Sequence, residues 1–228
     1  MDKISLSRKK ELEQPDEVQV FLNKVLQYVM HHKTQLISAF GFLLFAVFVV
    51  YGLSSYAASN ENKASVLFDN AKQKYATTVE ASGAVDAYSS VEMDYIRLLK
   101  EYPSTSASKF AQIQFANISY DAGKFDKAID LYQTAIKEFD ADHPFRNLLL
   151  SGLAYSYAGK KDYEPAVKYF TKLVSGTSNV LKDDALFNLG LIYEKQGKKE
   201  KSTEAFKKIV EDHANSIFIN IATEKLTG

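Results

Sequence analysis

Between Leu36 and Leu53 the chain reads LISAFGFLLFAVFVVYGL, almost without a polar side chain, and no charged residue occurs from Thr34 to Asn60. About twenty helical residues rise about 30 Å, the thickness of a bilayer's hydrocarbon core. A helix buried in a soluble domain usually keeps a polar stripe, and this stretch has none. The pattern predicts one membrane-spanning helix over residues 34–56. A cleaved signal sequence competes with that reading, because Ser55 and Ala57 in SSYAAS resemble the small residues of a cleavage site. The run is longer than the ~7–15 residues of a signal's apolar centre and lies well inside the chain, which favours a retained anchor.

Ahead of the run, residues 15–33 follow a different rhythm. Val18, Phe21, Leu22, Val25, Leu26, Val29 and Met30 recur at intervals of three and four, the signature of an amphipathic helix, with Val20 off the apolar face. Pro15 suits a first turn, and Asp16 and Glu17 lie where the helix dipole favours negative charge. Two readings stand side by side: a helix lying on a membrane surface, or a helix docking on a partner. Only Lys24 and Lys33 supply lysine charge there, which is little for lipid headgroups. Residues 1–14 carry mixed charge and few apolar groups and are expected to be a disordered tail.

After Glu61 the apolar residues keep helical spacing and show no strand-like alternation, so residues 61–228 are expected to form an all-helical domain. The spacing also repeats. Leu186, Leu189, Gly190 and Tyr193 are followed by Ser202 and Phe206; Leu150, Leu153, Ala154 and Tyr157 by Ala166 and Phe170. Upstream, Phe115 and Ala116 precede Ala128 and Tyr132, with Gln112 and Ser119 departing from the pattern. An eroded copy ends at Tyr95 and Pro103. The aromatics Tyr95, Tyr132, Phe170 and Phe206 lie 37, 38 and 36 residues apart. This resembles the tetratricopeptide repeat, a helix pair with a period of about 34 residues and a small residue where the helices cross. Helical hairpins of another kind are the alternative.

The resemblance implies about four degenerate repeats stacked as an α-solenoid, closed by a capping helix in NSIFINIATEKL, with a concave face built from the first helix of each repeat. Face positions in the first complete copy would be Phe110, Ile113, Asn117 and Tyr120. The next copy would add Leu148, Ser151 and Tyr155; the last would add Asp184, Phe187, Leu191 and Glu194. Packing against a neighbouring repeat or the capping helix competes with partner contact at each. The Lys/Arg clamp with which some members hold a C-terminal carboxylate is not matched. Ile113, Gly152, Asp184 and Asn188 stand at those positions, and only Asn117 agrees.

Composition narrows the function. Lys plus Arg and Asp plus Glu both number 28, and this balance gives no basic footprint for nucleic acid. Without Cys there is no disulfide, thiolate metal site, cysteine nucleophile or lipoprotein attachment point. His31 and His32 adjoin the apolar run and point apart. Asp140, Asp142 and His143 gather in FDADHPF, which reads more simply as a solvated loop than as a metal site, and His213 suits a helix end. No phosphate loop, His-Glu-x-x-His pair or nucleophile elbow occurs. An enzyme is not expected, nor a cofactor, nor a small-molecule substrate.

Short tail, single span and degenerate repeats together resemble the YfgM-type family of bacterial inner-membrane proteins. The match covers the chain from about Gln14 as architecture and is motif-level only in the repeats. EYPSTSASKFAQIQFANISYDAGKFDKAIDLY also looks like repeats of outer-membrane assembly and cell-division accessory proteins, which usually lack an uncleaved anchor. The YfgM resemblance implies a cytoplasmic N-terminus, a periplasmic repeat domain and ancillary work at the Sec translocon. Partners would be translocon subunits, periplasmic chaperones or exported chains. A scaffold of a cell-envelope complex, binding through the convex face or the N-terminal helix, is the rival.

Overall fold

The computed structural model describes residues 17–138 and 145–227. The expected tail (1–14), Pro15, Asp16 and the cluster of Asp140, Asp142 and His143 lie outside them. Among the described residues every regular element is helical: α1 (Glu17–His31), α2 (Lys33–Ser82), α3 (Ala84–Glu101), α4 (Ser106–Asp121), α5 (Phe125–Ala135), α6 (Phe145–Gly159), α7 (Tyr163–Val174), α8 (Lys182–Lys195), α9 (Lys199–Asp212) and α10 (Ile219–Thr227). The chain divides into two compact units, Met1–Ala58 and Ser59–Gly228.

In the first unit α1 and the apolar part of α2 are separated at His32. The His32 N–H donates to the Tyr28 carbonyl at 3.0 Å, and its own carbonyl accepts from the Leu36 N–H at 2.9 Å. Among the described residues one helix, α2, is long and apolar enough to cross a membrane, and its apolar window has mean hydropathy 2.5 with none of it buried.

In the second unit the later part of α2 supplies the first helix of the eroded repeat. Ala64 and Ala71 are buried, and Leu67, Phe68 and Tyr75 pack on the core beside α3. Hairpins α4/α5, α6/α7 and α8/α9 are the three clearer repeats, and successive helices pack in sequence along the unit. The three hairpins turn alike. Gly123, Lys161 and Gly197 adopt φ of 73°, 64° and 71°. Each turn closes with paired bonds: Gly123 N to Tyr120 O and Lys124 N to Ser119 O in the first, Lys161 N to Ala158 O and Asp162 N to Tyr157 O in the second, Gly197 N to Glu194 O and Lys198 N to Tyr193 O in the third. This is the Schellman closure, which satisfies the last carbonyls of the preceding helix.

The repeat aromatics Tyr95, Tyr132, Phe170 and Phe206 are all buried, with Tyr95 stacked on Phe115 at 5.1 Å between centroids. The small residues Ala116, Ala154 and Gly190 are buried where helices approach. A Cβ on Gly190 would lie 2.6 Å from the Phe206 ring. Polar residues that break the repeat pattern find partners. The Ser202 hydroxyl donates to the Gly190 carbonyl at 2.9 Å, the Gln112 amide to the Leu131 carbonyl at 3.0 Å, and the Ser119 hydroxyl to the Phe115 carbonyl at 2.7 Å. A buried polar group without such a bond would destabilise the fold by about 1–3 kcal/mol.

Two long-range hydrogen bonds to one carboxylate join α2 to α4. The Glu61 carboxylate accepts from the backbone N–H groups of Ser106 at 2.8 Å and Ala107 at 2.9 Å. Thr105 meanwhile caps the same helix by accepting from Ser108 N. A carboxylate at a helix N-terminus is favoured both by the orphan donors and by the dipole.

Candidate protein-binding face

The positions expected on the concave face lie on the first helices of the hairpins, α4, α6 and α8, and they divide into three kinds. Phe110 on α4 and Leu148 on α6 are open, 45% and 43% exposed. Phe145 meets Phe110 edge-on at 5.7 Å, and the Asn147 side chain donates to the Val180 carbonyl at 2.9 Å, bringing exposed Val180 against α6. Phe145 and Val180 extend this apolar patch and were not legible as partners, because Phe145 opens α6 ahead of the repeat positions and Val180 comes from the segment between α7 and α8, both of which the repeat pattern leaves undefined.

A second group forms an internal chain of aromatic and polar contacts. Tyr120 meets Tyr155 at 6.3 Å between centroids, and Tyr155 meets Phe170 edge-on at 5.3 Å. The Tyr155 hydroxyl donates to Asp184 Oδ1 at 2.6 Å and accepts from the Asn188 amide at 2.8 Å. Asn117 accepts from the Tyr132 hydroxyl, and that ring occupies the space a Cβ on Gly152 would need, 2.4 Å away. Ile113 and Ser151 are buried and offer no surface. Burial pushes the hydroxyls of Tyr155 and Tyr132 well above the ordinary phenol range. Burial also raises Asp184, an effect partly offset by the Tyr155 hydrogen bond. Asp184 Oδ2 is buried without a hydrogen-bond partner.

The third group, on α8, is covered by α10 and the segment before it. Phe187 stacks on Phe218 at 4.4 Å, with an interplanar angle of 12°. Leu191 packs in the same cluster as Phe218 and Leu226. Glu194 accepts from Lys225 at 2.8 and 2.9 Å. In the last repeat, then, Phe187, Leu191 and Glu194 contact the chain's own C-terminal segment, while Asp184 faces Tyr155.

A separate pocket of 240 Å³ lies among α7, α8 and α9. Val174, Leu186, Leu189, Tyr193 and Ala205 line it together with Lys201, Glu204 and Lys208. Among the described residues no group of three or more His, Cys, Asp or Glu side chains converges on a point. The arrangement offers apolar and aromatic contact area.

A comparison with curated protein sequences finds no match. Solved structures resemble the fold. A tetratricopeptide repeat protein from Parabacteroides merdae aligns over 70% of this chain at 19% identity and TM-score 0.54, and the chain spans 59% of that protein's length. A putative kinesin light chain from Podosopora anserina, with nearly identical TPR-like repeats, aligns over 71% of this chain and 82% of its own, at 15% identity and TM-score 0.56. At these identities the likeness carries the fold alone. The family described as tetratricopeptide repeat-like domain matches residues 28–227. With nearly the whole chain matched and the helix pairs in place, the chain belongs to the tetratricopeptide repeat-like domain family, whose fold is that of a protein–protein interaction module.

Proposed function

We propose that the chain is a membrane-anchored protein-binding module, held by the apolar part of α2 and acting on the periplasmic side of a bacterial inner membrane. Its work there would be to assist exported or membrane proteins at the Sec translocon, as the YfgM-type resemblance implies. The observation that carries the anchor is the stretch from Leu36 to Tyr56, in which every residue is exposed to solvent. Such a surface is stable in a bilayer and a liability in water. The family match begins at residue 28 and takes in this stretch, which supports a retained anchor over a cleaved leader.

The exposed patch of Phe110, Leu148 and Val180 is the part of the concave side that favours apolar contact with a partner. Tethering confines the partner-binding surface near the membrane, so that weak contacts suffice at high effective concentration. A photo-crosslinking residue at Leu148 or Phe110 in living cells, with Lys198 as control, tests the reading. Adducts with translocon subunits, periplasmic chaperones or exported chains at the first two sites alone are expected. Adducts at Lys198 alone would give the lead to the scaffold reading.

A further inference from the structure

Helix α1 presents an apolar face that is exposed among the described residues of its unit. Phe21, Leu22, Val25, Leu26, Val29 and Met30 are between 43% and 66% exposed. At 100° per residue they span about half of the helix circumference, wider than the narrow seam that a single partner helix buries. Lys24, Gln27 and His31 fall on the opposite side. A broad apolar half with a polar half behind it fits a plane better than a groove.

Two further observations identify that plane. Helix α1 ends at His31, and α2, whose charge-free apolar stretch begins at Thr34, starts at Lys33, with the helix interrupted at His32. The end of α1 is therefore held at the level where the bilayer surface would begin. In addition, no Asp or Glu occurs between Val18 and Asn60, while Lys24 and Lys33 lie in that stretch, so the only carboxylate on α1 is Glu17 at its far end and none lies near the junction to oppose anionic headgroups. Tyr28, exposed beside this junction, is a residue type enriched at the headgroup level.

We infer that α1 lies along the lipid surface, bent from α2 at His32, with Phe21, Leu22, Val25, Leu26, Val29 and Met30 in the boundary between headgroups and acyl chains. The inference rests on the membrane-anchor reading above. It adds a second contact with the bilayer on the side opposite the repeat domain's attachment to the span.

The absence of native cysteine makes every introduced thiol unique. The test uses the full-length chain in vesicles of phosphatidylcholine with phosphatidylglycerol, labelled with an environment-sensitive fluorophore at L22C, L26C, N23C, Q27C or F45C. Lipids bearing a nitroxide near the headgroup end of the acyl chain should quench the labels at positions 22 and 26 roughly twofold or more, and those at positions 23 and 27 much less. A nitroxide near the chain terminus should quench the label at position 45. Quenching at position 45 with none at 22 and 26 would overturn the inference and leave the apolar face to a protein partner. Equal quenching at all four α1 positions would place α1 within the span and overturn it too. No quenching at position 45 would remove the anchor reading itself.

Discussion

Lys161 stands in the left-handed backbone region at φ 64°, where the equivalent turns of the neighbouring repeats hold Gly123 and Gly197. A side chain there costs about 1–2 kcal/mol through the clash between Cβ and the carbonyl, whereas glycine loses somewhat more backbone freedom on folding. Lys161→Gly should therefore stabilise the repeat domain by about 0.5–1 kcal/mol. The expected sign is a higher urea midpoint with an unchanged slope, and a lower midpoint would show that the lysine side chain makes a contact worth more than the strain.

Asp184 carries a second residue-scale prediction. Its carboxyl is raised above the ordinary value of 3.8 by burial, so the folded state binds the proton more tightly than the unfolded chain. Stability from this group is greatest below the unfolded value, falls as pH rises through the folded one, and stays low at neutral pH. Asp184→Asn keeps an acceptor for the Tyr155 hydroxyl without the buried charge. It should match or exceed the native stability at pH 7 and flatten the acid limb of a stability–pH profile. The residual slope would come from Asp121, which burial shifts in the same direction. An unchanged slope in the variant would show that Asp184 is not the group responsible.

Among the elements, α4 has an end built by a residue far from it in sequence. With Glu61 accepting from two of its first N–H groups, Glu61→Ala should cost about 1–2 kcal/mol and Glu61→Gln about half as much, since the amide keeps an acceptor but not the charge. Hydrogen exchange at Ser106 and Ala107 should accelerate in both. Unchanged protection would mean that Thr105 alone holds this end.

The hairpins were legible in the sequence because a small residue, a glycine or charged turn and an aromatic recur at nearly fixed offsets, and each offset has a packing cause. Gly190 against Phe206 is one such pair. The first helix of the eroded repeat was not legible. It is the continuation of the long apolar helix, with no turn between them, so Ala64 and Ala71 carry no boundary signal. Face positions were legible only in part. A repeat pattern puts Phe187, Leu191 and Glu194 on one side of α8 but says nothing of Phe218 and Lys225, which arrive from a segment outside the repeats. Ile113 and Ser151 show the same limit, since stacking of neighbouring repeats buries them.

For the repeat unit as a whole, each helix pair contacts its sequence neighbours, and its stability is close to a sum of local terms and nearest-neighbour contacts. The last interface is the one closed by the chain's own C-terminal segment. Phe218, Ala222 and Leu226 meet Leu186, Phe187, Leu191 and Phe206 there, and the Ser216 hydroxyl donates to Asp183 at 2.7 Å. Removing residues 216–228 would leave that apolar side of α8 and α9 unpaired. The detergent-solubilised full-length chain and this truncation should differ in sedimentation: the truncated chain should form concentration-dependent larger species, and an unaltered profile would show that its exposed end tolerates water. The short C-terminal helix would then set a length. In a stack whose units join head to tail, an open end is a growth point, and contacts of that kind propagate into fibres unless something ends them. The nine residues of helix at Ile219–Thr227 are what covers that side of α8 and α9 here.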